Sequence, residues 1–368
     1  MTPGSPTNKP EIKPAGGEEP GLGGGHAVLQ VAPSPHVSQA TFTTQRMMID
    51  VIVGMLPVMG VAIYVFHWYA VVQIGLCILA CVGTEVVLAW SSGRPSTVSD
   101  WTAVVTGIIL GLSLPWSSPW YVPVLGSIVA IGLGKIVFGG LGCNIFNPAM
   151  VGRAFVMLSF ARQMGAPAYM VKTGTETGLD VVTQATPLAI AKQLAADLAA
   201  GRVSVGDLQV QLEEAPKIWA LFIGQVNGSL GETSALAIAI GGLYLLWRRV
   251  ISWQIPAGVM LVSLVFVELG HWTELTPFGP LHHLISGSLL FGAFFIATDP
   301  VTSPLTGKGK LLYGMGTGFL IVVIRLFSSY PEGVMFAVLV MNATVPLMNR
   351  WTIPRPLGGP SPSKADKG

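Results

Sequence analysis

The run Gly139-Gly140-Leu141-Gly142-Cys143-Asn144-Ile145-Phe146-Asn147-Pro148-Ala149 puts a good helix cap, Asn147, before a good first helical residue, Pro148. A glycine-rich turn with its cap accounts for the pattern structurally. Functionally, Asn144 and Asn147 hold carboxamides at a helix N-terminus, where they match the acceptor, donor, acceptor edge of an imide-like ring. A second cluster, Phe295-Ile296-Ala297-Thr298-Asp299-Pro300-Val301-Thr302, sets an acid before a proline at a helix break. Asp299 there can cap a new helix, bind a cation or accept a hydrogen bond from a cofactor ring. In Asp180-Val181-Val182-Thr183-Gln184-Ala185-Thr186-Pro187-Leu188 the small neighbours leave Thr186 accessible to another enzyme, although by pattern alone it is a surface hydroxyl.

Ionisable residues inside apolar runs form the remaining group: Lys135, Arg153, Arg325, Glu85 and Glu268. At membrane depth each is costly and therefore a functional candidate; the plainer reading is a charge snorkelling from near a helix end. Glu85 and Glu268 read equally well as interfacial charges. His271, His282 and His283 lack a strong metal spacing and read as solvated or interfacial. Cys77, Cys81 and Cys143 show no paired CxxC, so neither a disulfide framework nor a metal site is expected.

The elements that must position these residues are set by composition. The chain has 368 residues with only 20 Lys+Arg and 18 Asp+Glu, 51% hydrophobic residues and a mean hydropathy of +0.63. A soluble protein of this length would carry roughly 92 charges. An ordinary soluble enzyme, a disordered chain and a nucleic-acid-coating chain are all excluded, and a polytopic membrane protein remains. Residues 1–45 have no sustained apolar run and no signal-peptide h-region, and read as a disordered cytoplasmic tail. Apolar segments follow near 47–66, 69–90, 101–114, 120–138 and 144–161, giving a first unit over 46–161. After a polar segment, 162–232, they resume near 233–247, 251–269, 284–298, 311–327 and 333–349, a second unit over 233–349; 350–368 is a second tail.

In each unit the third segment is short and ends before a proline, Leu114-Pro115 and Asp299-Pro300. The expected fold is therefore all-α, about ten transmembrane helices in two inverted five-helix repeats with broken third and eighth members. Asn147-Pro148-Ala149 against Asn342-Ala343-Thr344 is the weak residue-level match between the halves. With the N-terminus inside, the tails and inside loops hold twelve Lys and Arg, the short outside loops none, and the 162–232 segment five. Both termini are then cytoplasmic, and 162–232, with Thr186, is external.

Together the Gly139–Ala149 run, Thr183–Leu188, Phe295–Thr302, and Tyr330-Pro331-Glu332-Gly333 with Met341-Asn342-Ala343-Thr344-Val345-Pro346-Leu347 resemble the RnfD component of the Rnf electron-transport complex. They are similar, more distantly, to the corresponding membrane component of the Na⁺-pumping NADH:quinone oxidoreductase. The resemblance covers roughly residues 33–350. It implies FMN attached through a phosphodiester to Thr186 by a Mg²⁺-dependent flavin transferase. Gln184 stands where the quinone-reducing relatives commonly have Gly, which favours the Rnf assignment. The resemblance also implies a second, noncovalent riboflavin nearer the cytoplasm, for which Asn144, Asn147 and Arg153 are expected contacts, with Asp299 and Thr302 as weaker ones.

The reading this supports is a flavoprotein subunit of the bacterial inner membrane that relays electrons within an ion-translocating ferredoxin:NAD⁺ oxidoreductase. NAD and iron–sulfur chemistry would belong to partner subunits, since no GxGxxG follows a strand and the cysteines are scattered. No nucleic acid and no metal site are expected. Rival readings are a cofactor-free inverted-repeat transporter or channel, and a structural anchor for soluble redox subunits.

Overall fold

The computed structural model describes residues 43–165 and 218–354 apart from 94–96, 225–227, 274, 329 and 331. It adds 30–31, 37–38, 168–171, 180–183, 188, 190, 192–194 and 197. Thr186 and most of both tails lie outside these residues.

Two long apolar helices open the bundle, α1 (Thr44–Phe66) and α2 (Trp68–Ser91), joined only at His67. Next come α3 (Thr102–Ser113) and α4 (Tyr121–Ile131), the latter continuing as a π-helical turn over Gly132–Ile136. α5 (Pro148–Ser159) and the single turn α6 (Ala161–Gly165) complete the first half. The second half consists of α7 (Ile218–Ile223), α8 (Ala235–Trp247), α9 (Gln254–Trp272), α10 (Pro280–Ile285), α11 (Leu289–Phe291), α12 (Gly307–Phe327) and α13 (Val334–Thr352). α11 runs on as a second π turn, Gly292–Ile296. Five of these helices, α1, α2, α9, α12 and α13, are long and apolar enough to cross a membrane. At 12 residues α3 reaches only about 18 Å, short of a hydrocarbon core about 30 Å thick. Every apolar segment read from the sequence coincides with a helix, except that the eighth is broken into α10, α11 and the π turn.

The 162–232 segment is not wholly irregular. Its described residues include an antiparallel pair, Ala168–Val171 with Asp180–Thr183, in the register Ala168 to Thr183. A second, two-residue pair joins Gln30–Val31 to Val37–Ser38.

Small residues let the helices approach closely. Gly107 and Gly111 of α3 lie against Ile78 and Ile74 of α2, and Gly314 and Gly318 of α12 against Ile255 and Val259 of α9. The same i, i+4 glycine spacing thus serves both halves. The halves themselves meet where α1 crosses α8: a Cβ on Gly241 would fall 1.9 Å from the Gly54 carbonyl oxygen. Around this core the outer surface is apolar. Trp68, Trp90, Trp120, Trp219, Trp247, Trp253, Trp272 and Trp351 are at least 62% exposed, and each sits at or within a few residues of a helix end. That is the placement of an interfacial aromatic belt.

Candidate functional site

At the end of the bundle where α1 begins, both halves contribute to one cavity. Left-handed backbone at Gly139, Gly140 and Gly142 (φ +114°, +104°, +86°) turns the chain from the π segment after α4 into α5. Asn147 caps α5 as the sequence indicates, its Oδ1 accepting from the Met150 N–H at 3.3 Å, with Pro148 in the first turn. Its Nδ2 makes only long contacts, 3.4 Å to the Ile296 carbonyl and 3.5 Å to Asp299 Oδ2. The Asp299 carboxylate accepts from Thr302 Oγ1 at 3.0 Å and from the Val301 N–H at 3.2 Å. It therefore caps a short turn, while α12 is capped by Thr306. Asn342, fully buried in α13, completes the network in the amide orientation that gives both its polar atoms partners. Its Oδ1 accepts from the Asn147 N–H at 3.0 Å, and its Nδ2 donates to Tyr313 Oη at 2.6 Å and to the Thr302 carbonyl at 3.3 Å.

Asn144, Asn147 and Asp299 line the cavity with Thr102, Lys135, Met47, Met48, Phe294 and Phe295. It encloses about 80 Å³ and is partly open. Lys135 is no snorkelling charge: it is 2% exposed, and Nζ donates to Glu85 Oε1 at 2.8 Å and Thr102 Oγ1 at 2.7 Å. Glu85 is equally buried rather than interfacial and also accepts from Thr97. Of the five residues expected to meet a noncovalent flavin, four converge here; Thr302 does so through Asp299.

Arg153 does not join them. It lies six residues along α5, about 9 Å further on, and its Nη2 pairs with Glu332 Oε2 at 2.8 Å and approaches Glu232 Oε1 at 3.7 Å. Glu332 also accepts from Ser288 Oγ at 3.1 Å. Arg325 is buried beside this group and donates to the carbonyls of His283 (2.5 Å) and Ser286 (3.1 Å). His283 is buried as well, its Nε2 2.9 Å from Thr276 Oγ1, so the solvated reading of this histidine does not hold. Burial, then the charge of Arg325, push its pKa down to about 3. Snorkelling is thus replaced by internal pairing for Arg153 and by carbonyl solvation for Arg325.

Thr186 lies outside the described residues, but the chain just after it is anchored at this end. Leu188 is buried against Gly287, and Lys192 donates to the carbonyls of Ser328, Tyr330 (3.0 Å) and Arg325 (3.5 Å). Partial burial of Lys192 lowers its pKa.

Long apolar helices, a Trp belt and buried, internally matched charges define a multi-pass membrane protein. The chain belongs to the NQR2, RnfD, RnfE family, whose pattern it matches over residues 30–358. It is 40% identical to the D component of the Na⁺-translocating ferredoxin:NAD⁺ oxidoreductase complex of Acetobacterium woodii, over 90% of this chain and 95% of that one. It is 40% identical to the D component of the ion-translocating oxidoreductase complex of Stutzerimonas stutzeri, over 86% and 92%. To the D component of the proton-translocating ferredoxin:NAD⁺ oxidoreductase complex of Clostridium ljungdahlii it is 37% identical, over 90% and 96%.

Two participants escape a reading of the sequence. Asn342 pairs with Asn147 there as a repeat equivalent, but one caps a helix and the other lies in mid-helix, and they meet directly. Glu232 carries only a weak signal: an acid two residues before an apolar helix cap, in a stretch with no other charge nearby.

Proposed function

We propose that this chain is the membrane flavoprotein subunit of an Rnf-type, ion-translocating ferredoxin:NAD⁺ oxidoreductase, and that it relays electrons across the bacterial inner membrane. The observation that carries this reading is similarity to the D components of such complexes over nine-tenths of the chain. Ferredoxin and NAD⁺ are handled by the partner subunits. Within the bilayer the chain forms two inverted five-helix repeats with both termini cytoplasmic. The Asn147 cavity then opens toward the cytoplasm, and Thr186 faces the periplasm.

Thr186 carries FMN, attached as a phosphodiester by a flavin transferase acting from the periplasmic side. The anchoring of Leu188 and Lys192 supports this, because it ties the segment after Thr186 to the bundle. A second, noncovalent flavin, riboflavin, has its ring edge at the Asn144–Asn147 side of the cavity. The donor set fits: Asn147 Nδ2 is held only by long contacts, Asp299 supplies an acceptor, and the remaining lining is largely apolar, with Thr102, Thr106, Thr298 and Lys135 as its polar members. About 80 Å³ takes one edge of a planar heterocycle, so a tricyclic ring would extend through the open side. When bound, flavins supply one-electron transfer. The chain's own residues fix ring orientation through the carboxamides and hold a cation, Lys135, on the cavity wall.

Denatured subunit on a gel under ultraviolet light should fluoresce from covalent flavin and go dark in Thr186→Ala. A dark wild-type band from cells that contain the transferase refutes covalent attachment. Acid extraction should release riboflavin from the wild-type complex and little from Asn147→Ala; a full complement in the variant refutes the cavity assignment.

A further inference from the structure

Away from the cavity, the opposite end of the bundle gathers four ionisable side chains from separate elements: Arg153 of α5, Arg325 of α12 and Glu232 from the loop before α8, all buried, and the partly buried Glu332 from the loop before α13. Their hydrogen bonds are unevenly shared. Glu332 accepts from Arg153 and Ser288. Glu232 Oε2 accepts from the Ser229 N–H at 3.4 Å, whereas its Oε1 is fully buried with no donor, since 3.7 Å to Arg153 Nη2 is too long for a hydrogen bond. The Glu232 side chain is 4% exposed. A carboxylate oxygen in that position is strongly disfavoured. The two carboxyl groups converge on one guanidinium nitrogen, Arg153 Nη2, at 3.7 Å from Glu232 Oε1 and 2.8 Å from Glu332 Oε2.

We infer that Glu232 and Glu332 share one proton, with Glu232 as the carrier and Glu332 as the acceptor. Protonation gives the orphaned oxygen of Glu232 a proton to donate, and removes the repulsion between two anions that share one guanidinium. Burial first, then the facing Glu332, raise the Glu232 pKa well above the usual carboxylate range. A metal cation suits the site poorly. Arg153 contacts both acids, and Arg325 Nη2 and Glu332 Oε1 lie 3.2 and 3.0 Å from the position of a Cβ on Gly287, so two guanidinium groups already occupy the space around the carboxylates. The other charged or titratable groups facing the cluster are Lys192, committed to the carbonyls after α12, and His283, kept neutral by burial. The site can load and release one positive charge at one end of the bundle.

The test is infrared spectroscopy of the purified complex at neutral pH, taken as wild type minus variant in H₂O and D₂O. One protonated-carboxyl C=O band, downshifted in D₂O, is expected in wild type and absent in Glu232→Gln. It should also be absent in Glu332→Gln, because the remaining acid becomes the sole counter-charge of two arginines and ionises. An isolated buried acid would instead keep its proton in Glu332→Gln. A band that survives in either variant, or that NaCl titrates away from wild type, overturns the assignment; if one variant fails to assemble, the other decides.

Discussion

The pair Lys135–Glu85 is the sharpest place to test internal charge pairing, because both side chains are almost sealed from water at 3% and 2% exposure. In Glu85→Leu the Lys135 ammonium keeps only Thr102 Oγ1 as acceptor. In Lys135→Met the Glu85 carboxylate keeps Thr97 on one oxygen, while its Oε2 already lacks a donor. Breaking one side of a buried pair costs about 3–5 kcal/mol, whereas replacing both sides by apolar groups of similar size is often neutral. Lys135→Met should lie at the upper end of that range and Glu85→Leu nearer the lower, with the double variant close to wild type. The three cysteines give the assay. Cys81 is fully buried one turn before Glu85 on α2, Cys77 is buried a turn earlier, and Cys143 is exposed. Maleimide labelling of Cys81, read by mass on this subunit in the assembled complex, reports opening of α2, with Cys143 as the internal standard. A loss of 3 kcal/mol should raise Cys81 labelling by roughly 150-fold. Single variants that label within a few-fold of wild type, or a double variant as labile as the worse single, would refute the pairing.

Two further outcomes concern the opposite end. His283 has a folded pKa lowered from 6.5 to about 3, so its buried neutral form contributes stability that is complete above pH 6.5 and is lost as pH falls toward 3. Thermal denaturation across that window should show a stability slope of up to about 1.4 kcal/mol per pH unit, flattened in His283→Gln; parallel profiles count against it. Gly287→Ala places a Cβ 2.7 Å from Leu188 Cδ1 at a residue with φ +68°, a conformation that costs a residue with a Cβ about 1–2 kcal/mol. Proteolysis between residues 166 and 217 should accelerate while Cys81 labelling stays unchanged, and unchanged proteolysis would mean that Leu188 does not hold the segment.

What is legible in the sequence follows from local rules. Apolar runs locate the helices, because each buries or exposes apolar surface along most of its length, and the Asn147 cap with Pro148 is a four-residue matter. Asn147 and Asp299 both stand out by type and spacing, and their meeting 152 residues apart needs only a common end of the bundle. The pairing of charges is illegible for the opposite reason. Arg153 within an apolar run reads the same whether it reaches water or a partner, and its partner Glu332 is 179 residues away. Lys135 and Glu85, 50 residues apart, are a similar case. Broken helices also hide their purpose: the end of α3 is closed by the Gly231 N–H on the Leu112 carbonyl at 2.7 Å, a contact between halves that no periodicity encodes.

The two ends differ in their charge balance, and that difference would couple a flavin on Thr186 to the proposed shared proton. At the cavity end Lys135 and Glu85 form a neutral pair, with the carboxyl group of Asp299 on the same cavity, so no positive charge is left over there. At the other end two arginines face two glutamates that carry, with a shared proton, a single negative charge, leaving the cluster at +1. A buried net charge is costly unless an anion lies close by. Leu188 rests on Gly287 beside this cluster, and Thr186 precedes it by two residues, so their Cα atoms are at most about 7 Å apart along the chain. A phosphodiester on Thr186 carries one negative charge and would balance the cluster in its protonated state. Flavin attachment and the Glu232 proton should therefore favour each other: in Thr186→Ala the infrared carboxyl band should disappear at a lower pH than in wild type. An identical midpoint would separate the two sites energetically and leave the excess charge to be balanced by another group.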